Sequence, residues 1–306
     1  MRAPVVRQGS PARGGEDDDT PLVVGVDGSD ASLLAVDWAV DEAARGDRPL
    51  RLVYASLWER YEGAVPSTGR ERPSERVLAE HIVASAAERA ALRRPRVPVT
   101  TGIVPADPVD ALLREGNNAF ALVTGERGRG ELKGLLLGSV SLGVAARAHC
   151  PVIVVRGDET GLVGLHEQIL FGAGDLVTGV QAVRFALREA EERGCAVDAV
   201  RAWRRPALEG AAVFAEDPAQ EPEERAAAQL DDLLGEAMAA RPGVRVRRTT
   251  VEGPARRILV DRSADADLVV IGARHRHGHF GLQLGRVGHT LLHHAHCPVA
   301  IVPQMT

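Results

Sequence analysis

The feature that most constrains this 306-residue chain is an internal repeat. ARAHCPVIV at Ala146–Val154 returns as HHAHCPVAI from His293 onward, an offset of 147 residues. The same offset carries Cys150-Pro151 onto Cys297-Pro298, Gly25 onto Gly172, Ala55 onto Ala202, Gly125 onto Gly272 and Gly138 onto Gly285. Solenoid repeats are far shorter, so a period this long means two tandem domains of one design. The expected units are 21–157 and 166–306, joined near Gly157–His166 and preceded by a disordered tail over 1–20. That tail carries Gly14-Gly15, the acidic run Glu16–Asp19 and no apolar period, a composition that cannot bury a core.

Each copy reads as alternating strand and helix. Leu22–Val26 is a short, wholly apolar run, the mark of a parallel strand covered on both faces. Ser29 is placed to cap a helix with Leu34, Ala35, Trp38 and Ala39 on one face, ending at Gly46. Leu50–Ala55 reads as the second strand, and Leu57–Pro73 as a polar, mobile loop. Ser74 suits the cap of a helix with the stripe Val77, Leu78, Ile82 and Ala86, before a third strand over Val97–Ile103. Asp107-Pro108 marks another helix start. Such regular alternation predicts an α/β fold, a parallel sheet with right-handed crossovers flanked by helices.

The stretch with chemical content is Leu122–Val155. An apolar run ends in a glycine loop, and the loop leads to Gly138-Ser139-Val140-Ser141, the start of an Ala-rich helical segment. Glycine lets the backbone approach a ligand closely, and the free N–H groups of a helix start favour an anion. Gly125, Gly128, Gly138 and Ser139 form the pattern G-x2-G-x9-G-S, which reads as a phosphate cradle. The loop residues Arg127 and Arg129 suit either phosphate contact or simple solvation. Ser139 and Ser141 also suit ordinary helix capping.

With that spacing the chain resembles the ATP-binding branch of the universal stress protein family. The resemblance implies two tandem Rossmann-like domains, each a five-stranded parallel sheet of strand order 3-2-1-4-5. That order puts the reversal point between strands 1 and 4, where open α/β sheets bind ligands. It also implies an ATP site formed by Val26, Asp27, Ala55, Gly125, Arg127, Gly128, Arg129, Gly138, Ser139, Val140 and Ser141, with Mg2+ as a candidate companion near Asp27. Asp27 would reach the nucleotide, and Ala55 would wall the adenine pocket. Core alanine and turn-forming aspartate are the plain alternatives for those two. A stress or dormancy role is implied by the family alone, while abundant Ala, Arg and Gly with few aromatics suggests a GC-rich bacterial genome. Two departures stand out: Glu131 replaces a loop glycine, and Phe120 replaces an aspartate before strand 4.

The second copy has lost the cradle. His275, Arg286, Gly288 and Gly174 stand where the first has Gly128, Ser139, Ser141 and Asp27. ATP binding is therefore expected in the first domain only, with Arg286 partly filling the vacated phosphate position. The histidines at 275, 277, 279, 293, 294 and 296 complete no recognised metal-ligand spacing, so no metal site is predicted.

A balance of 37 basic against 42 acidic side chains argues against a broad nucleic-acid footprint. No apolar run reaches bilayer-spanning length, the first twenty residues lack a signal-peptide core, and three cysteines suit a reducing cytosol. The expectation is a cytoplasmic regulatory protein and not an enzyme, since no general base stands beside a nucleophile. A slow ATPase or phosphotransferase and a ligand-free scaffold are the alternatives. The apolar fifth strands, Pro151–Val155 and Pro298–Val302, predict an intrachain pseudo-dimer through sheet edges; a homodimer of whole chains is left open.

Overall fold

The computed structural model describes residues 20–57, 75–128, 137–205, 221–275 and 282–304. The expected disordered tail up to residue 19, the loop from residue 58, the Ser74 cap, Arg129, Glu131, His277 and His279 lie outside those residues.

The first half runs β1 (Leu22–Gly25), α1 (Asp30–Arg45), β2 (Leu50–Ala55), α2 (Glu75–Arg93), β3 (Val99–Val104), α3 (Pro108–Gly116), β4 (Ala121–Gly125), α4 (Ser139–Ala145) and β5 (Val152–Val155). A short helix, α5 (Glu159–Val163), connects the halves. The second half runs β6 (Gln168–Gly172), α6 (Leu176–Arg193), β7 (Ala196–Trp203), α7 (Pro222–Ala240), β8 (Val246–Glu252), α8 (Ala255–Arg262), β9 (Leu268–His275), β10 (Leu282–Gln283), α9 (Arg286–His294) and β11 (Val299–Pro303).

One continuous sheet has the order β3-β2-β1-β4-β5-β11-β9-β6-β7-β8, with β10 paired to β9. Each half therefore shows the expected 3-2-1-4-5 order with those five strands parallel, and in the second half the short β10 is added antiparallel to β9. The halves join through an antiparallel pairing of β5 with β11, in register at Val154 and Val299, Ile153 and Ala300, Val152 and Ile301. Neither fifth strand is left as an open edge, which is the pseudo-dimer read from their apolar character.

Because the strands are covered on both faces, the core forms two layers. One packs α1, α2, α6 and α7 against residues such as Val24, Val123 and Phe171 and runs through both halves. The other packs α3, α4, α8 and α9 against Val23, Leu122 and Val269. Helix starts follow their side chains: Ser29 accepts from the Ser32 N–H, and Asp107 from those of Val109 and Asp110. Phe120 belongs to the seam between the halves, where the Arg48 and Arg188 guanidiniums lie 4.0 and 4.2 Å from its ring centre. Its counterpart Asp267 instead accepts the N–H groups of His166 and Gln168.

Candidate functional site

β1 and β4 are neighbours, paired from Leu22 and Ala121 to Val24 and Val123. The chain leaves β1 for α1 on one face and β4 for α4 on the other, so a crevice opens beyond their carboxyl ends. It holds a cavity of about 370 Å³. Ten of the eleven residues expected at the site line it: Val26, Asp27, Ala55, Gly125, Arg127, Gly128, Gly138, Ser139, Val140 and Ser141.

Their roles differ in detail. The Asp27 carboxylate accepts the N–H and the hydroxyl of Ser29 on Oδ1, at 2.9 and 2.6 Å, a turn that fixes the side chain at the crevice. Gly128 crosses just above it. Gly125 is needed for another reason: a Cβ there would stand 2.5 Å from the Ala31 carbonyl oxygen, so α1 closes on the end of β4 only over a glycine. Gly138 begins α4 with its N–H donating to the Glu126 carbonyl at 2.7 Å.

Among the described residues no side chain caps α4 at Gly138, whereas α1, α3 and α6 are capped by Ser29, Asp107 and Asp175. Ser139 is exposed at the cavity mouth. Ser141 is buried, and its hydroxyl donates to the Gly125 carbonyl at 2.7 Å. It ties the helix to the strand end, and its one hydroxyl proton is already used. Arg127 is exposed, with Nε 3.7 Å from the Glu126 carboxylate.

Sequence reasoning missed Thr124, Leu112 and Val53, which also line the cavity. Thr124 is 4% exposed and its Oγ1 has no hydrogen-bond partner among the described residues. The usable signal was its replacement by Ile271 in the second copy. Leu112 packs over Gly25, where a Cβ would stand 2.9 Å from its Cδ1. With Val53 and Ala55 it makes an apolar wall.

The second half holds a cavity of about 250 Å³ at the equivalent place. The apolar wall persists as Val200, Ala202 and Leu259, and Arg286, at the first turn of α9, now lines it. In sequence the carboxylate has moved one position, to Asp175, which caps α6 and pairs with Arg274. Burial pushes the Asp175 pKa up, but hydrogen bonds from Thr178 and the Arg274 charge outweigh it and leave the group below its usual value. Of the later histidines, His289 and His293 stack at 4.6 Å between ring centres.

The model of the Universal stress protein family matches the chain twice, over residues 20–156 and 166–303. Universal stress protein Rv2623 of Mycobacterium tuberculosis is 32% identical over 300 residues, covering 92% of this chain and 95% of the relative. Universal stress protein Mb2028c of Mycobacterium bovis is 32% identical over 308 residues, covering 92% and 97%. A universal stress protein from Archaeoglobus fulgidus has a similar fold, with a TM-score of 0.67 at 17% identity over 95% of this chain and all of that one. Among the described residues, no helix is long and apolar enough to cross a membrane.

Proposed function

The chain belongs to the universal stress protein family, and from that premise we propose that it is a regulatory module binding one adenine nucleotide, ATP, in its first half. The observation that carries this reading is the convergence in one cavity of the start of α4 and the buried Thr124 hydroxyl, the first without a side-chain cap and the second without a partner among the described residues. Buried polar groups are normally paired; here the missing partner belongs to a ligand. A cavity of about 370 Å³ lies within the range that takes small molecules. The wall of Val53, Ala55 and Leu112 suits a planar base. The backbone N–H groups from Ser139 onward, with the Ser139 hydroxyl, suit the phosphates. Asp27, on the same side, is the residue that would hold Mg2+.

The residues of the cavity bind and orient. Asp27 is already held by Ser29, which favours a positioning role over that of a general base, so binding without efficient turnover is the reading. In the second half Ile271 and Gly288 remove the hydroxyls, and the smaller cavity carries Arg286 instead. The three cysteines are buried free thiols, with burial raising Cys150 and Cys195 to about 11. Such unreactive thiols fit a cytosolic setting.

The test is mass spectrometry of the small molecule retained by the purified chain, followed by calorimetry with ATP. One equivalent per chain, weakened by Ser139→Ala, is expected. No retained nucleotide and no ATP binding would overturn the proposal. Two equivalent sites would overturn its asymmetry.

A further inference from the structure

Glu42 on α1 and Glu189 on α6 occupy the same place in the two copies, 147 residues apart, and both are buried at the seam, 2% and 0% exposed. With Glu192 they bring one oxygen each to within 4.8 Å of one another. Ordinary pairing accounts for part of this cluster. Arg48 holds both oxygens of Glu192, at 2.9 and 2.7 Å. Arg45 and Arg193 both donate to Oε2 of Glu42, at 2.8 and 2.5 Å. Among the described residues, nothing donates to Oε1 of Glu42 or to either oxygen of Glu189. The Arg193 Nε stands 3.8 Å from Glu189 Oε2 and makes no hydrogen bond either.

A fully buried ionised carboxylate with no donor is strongly disfavoured. One proton resolves the arrangement. It neutralises one carboxyl and makes it the donor that the facing carboxylate lacks. We propose that Glu42 and Glu189 share a single buried proton across the seam, and that its release at high pH loosens the contact between the halves.

The surroundings favour that assignment. Burial first, then the negative charge of Glu42, push the Glu189 pKa well above the ordinary value, against the opposing charge of Arg193. From the first half, Arg45 and Arg48 face the pair. From the second come Arg188, Glu192 and Arg193 on α6, with Cys195, Asp267 and Cys297 beyond Arg193. Three carboxylates would also suit a hard divalent cation. Here, though, lone pairs of Glu42 and Glu192 are engaged by three guanidiniums, against which a cation would have to sit.

Infrared spectroscopy of the full chain tests the proposal directly. A protonated-carboxyl stretch is expected to persist at neutral pH and to vanish in both E189Q and E42Q. Its absence from the wild-type protein, a measurement needing no variant, would sink the idea. Thermal unfolding between about pH 5 and 9 gives a second reading. The native pair binds a proton that the unfolded chain releases above its ordinary carboxyl pKa. Wild-type stability should therefore fall as pH rises towards the raised value, by up to about tenfold in the folding constant per pH unit. E189Q keeps a permanent donor and should lack that slope; parallel curves count against the proposal. Saturable stabilisation of the wild type by Mn2+, reversed by EDTA and missing in E189Q, would show a cation in the proton's place and overturn it.

Discussion

Gly128 passes so close to Asp27 that a Cβ on it would stand 2.5 Å from the Asp27 Oδ2. The glycine loop and the end of β1 are thus fitted to each other at the one carboxylate among the described residues that line the cavity. Gly128→Ala should push that carboxylate aside or lift the loop from it. Because Gly128 is exposed, stability should change by less than about 0.5 kcal/mol. ATP affinity should fall about tenfold, equivalent to about 1.4 kcal/mol. Calorimetry beside a thermal melt checks both. Unchanged affinity would mean that Asp27 takes no part in binding.

Ser139 and Ser141 look interchangeable as phosphate donors, and the structure separates them. Ser141→Ala removes the hydroxyl that donates to the Gly125 carbonyl and should cost about 1–3 kcal/mol of stability. Ser139→Ala, at an exposed position, should leave the melting curve in place and weaken nucleotide binding. Chemical denaturation and calorimetry on the two variants read the two effects separately. The reverse pattern would return Ser141 to the phosphates.

The sheet and the crevice were legible because parallel strands buried on both faces leave continuous apolar runs, and because strand ends fall at glycines. The direction of the Ser141 hydroxyl was not, since it depends on how a loop returns sixteen residues after Gly125. Helix faces were read partly wrong. Leu34, Val77 and Leu78 stood on expected core faces but are 37%, 53% and 37% exposed, while Ala79, Val83 and Ala90 are buried. Alanines let α2 approach the sheet closely, and a reading weighted by side-chain size passes over them. Least visible were Glu42 and Glu189. Charged residues on a helix resemble a solvated face until the other half of the chain covers them.

The second half, on the strand next to the outermost one, offers a pH test of the opposite sign to the seam. Asp198 on β7 is 1% exposed and accepts hydrogen bonds from Arg247, Thr249 and Arg262, at 3.1, 3.0 and 2.7 Å. Burial pushes its pKa up, but hydrogen bonds from Arg247 and Thr249 and the charges of Arg247 and Arg262 prevail and lower it. Its contribution is therefore full above the ordinary carboxylate value, about 3.9, and is lost as pH falls through the lowered one. Asp198→Asn should destabilise the chain by about 1–3 kcal/mol near neutrality. The gap from wild type should narrow in acid, as paired melts at descending pH would record. A gap constant down to the acid transition would show that the charge contributes nothing.

The halves are joined by the β5–β11 ladder, by the apolar layer that runs through both and by the charged seam, and Arg48 tests the weight of the last. It is 3% exposed, forms a two-pronged pair with Glu192, and lies 4.0 Å from the Phe120 ring centre. Removing one member of a buried pair leaves the other charge uncompensated, typically at about 3–5 kcal/mol. Arg48→Ala should therefore split the melt into two transitions, one for each half, because the penalty falls on the seam and not on either core. Arg48→Met together with Glu192→Met replaces the pair by apolar volume and should restore much of the loss, since such replacements are often neutral. Differential scanning calorimetry of the single and double variants decides the matter. A single unshifted transition in Arg48→Ala would assign the joining of the halves to the strand pairing and the shared apolar layer.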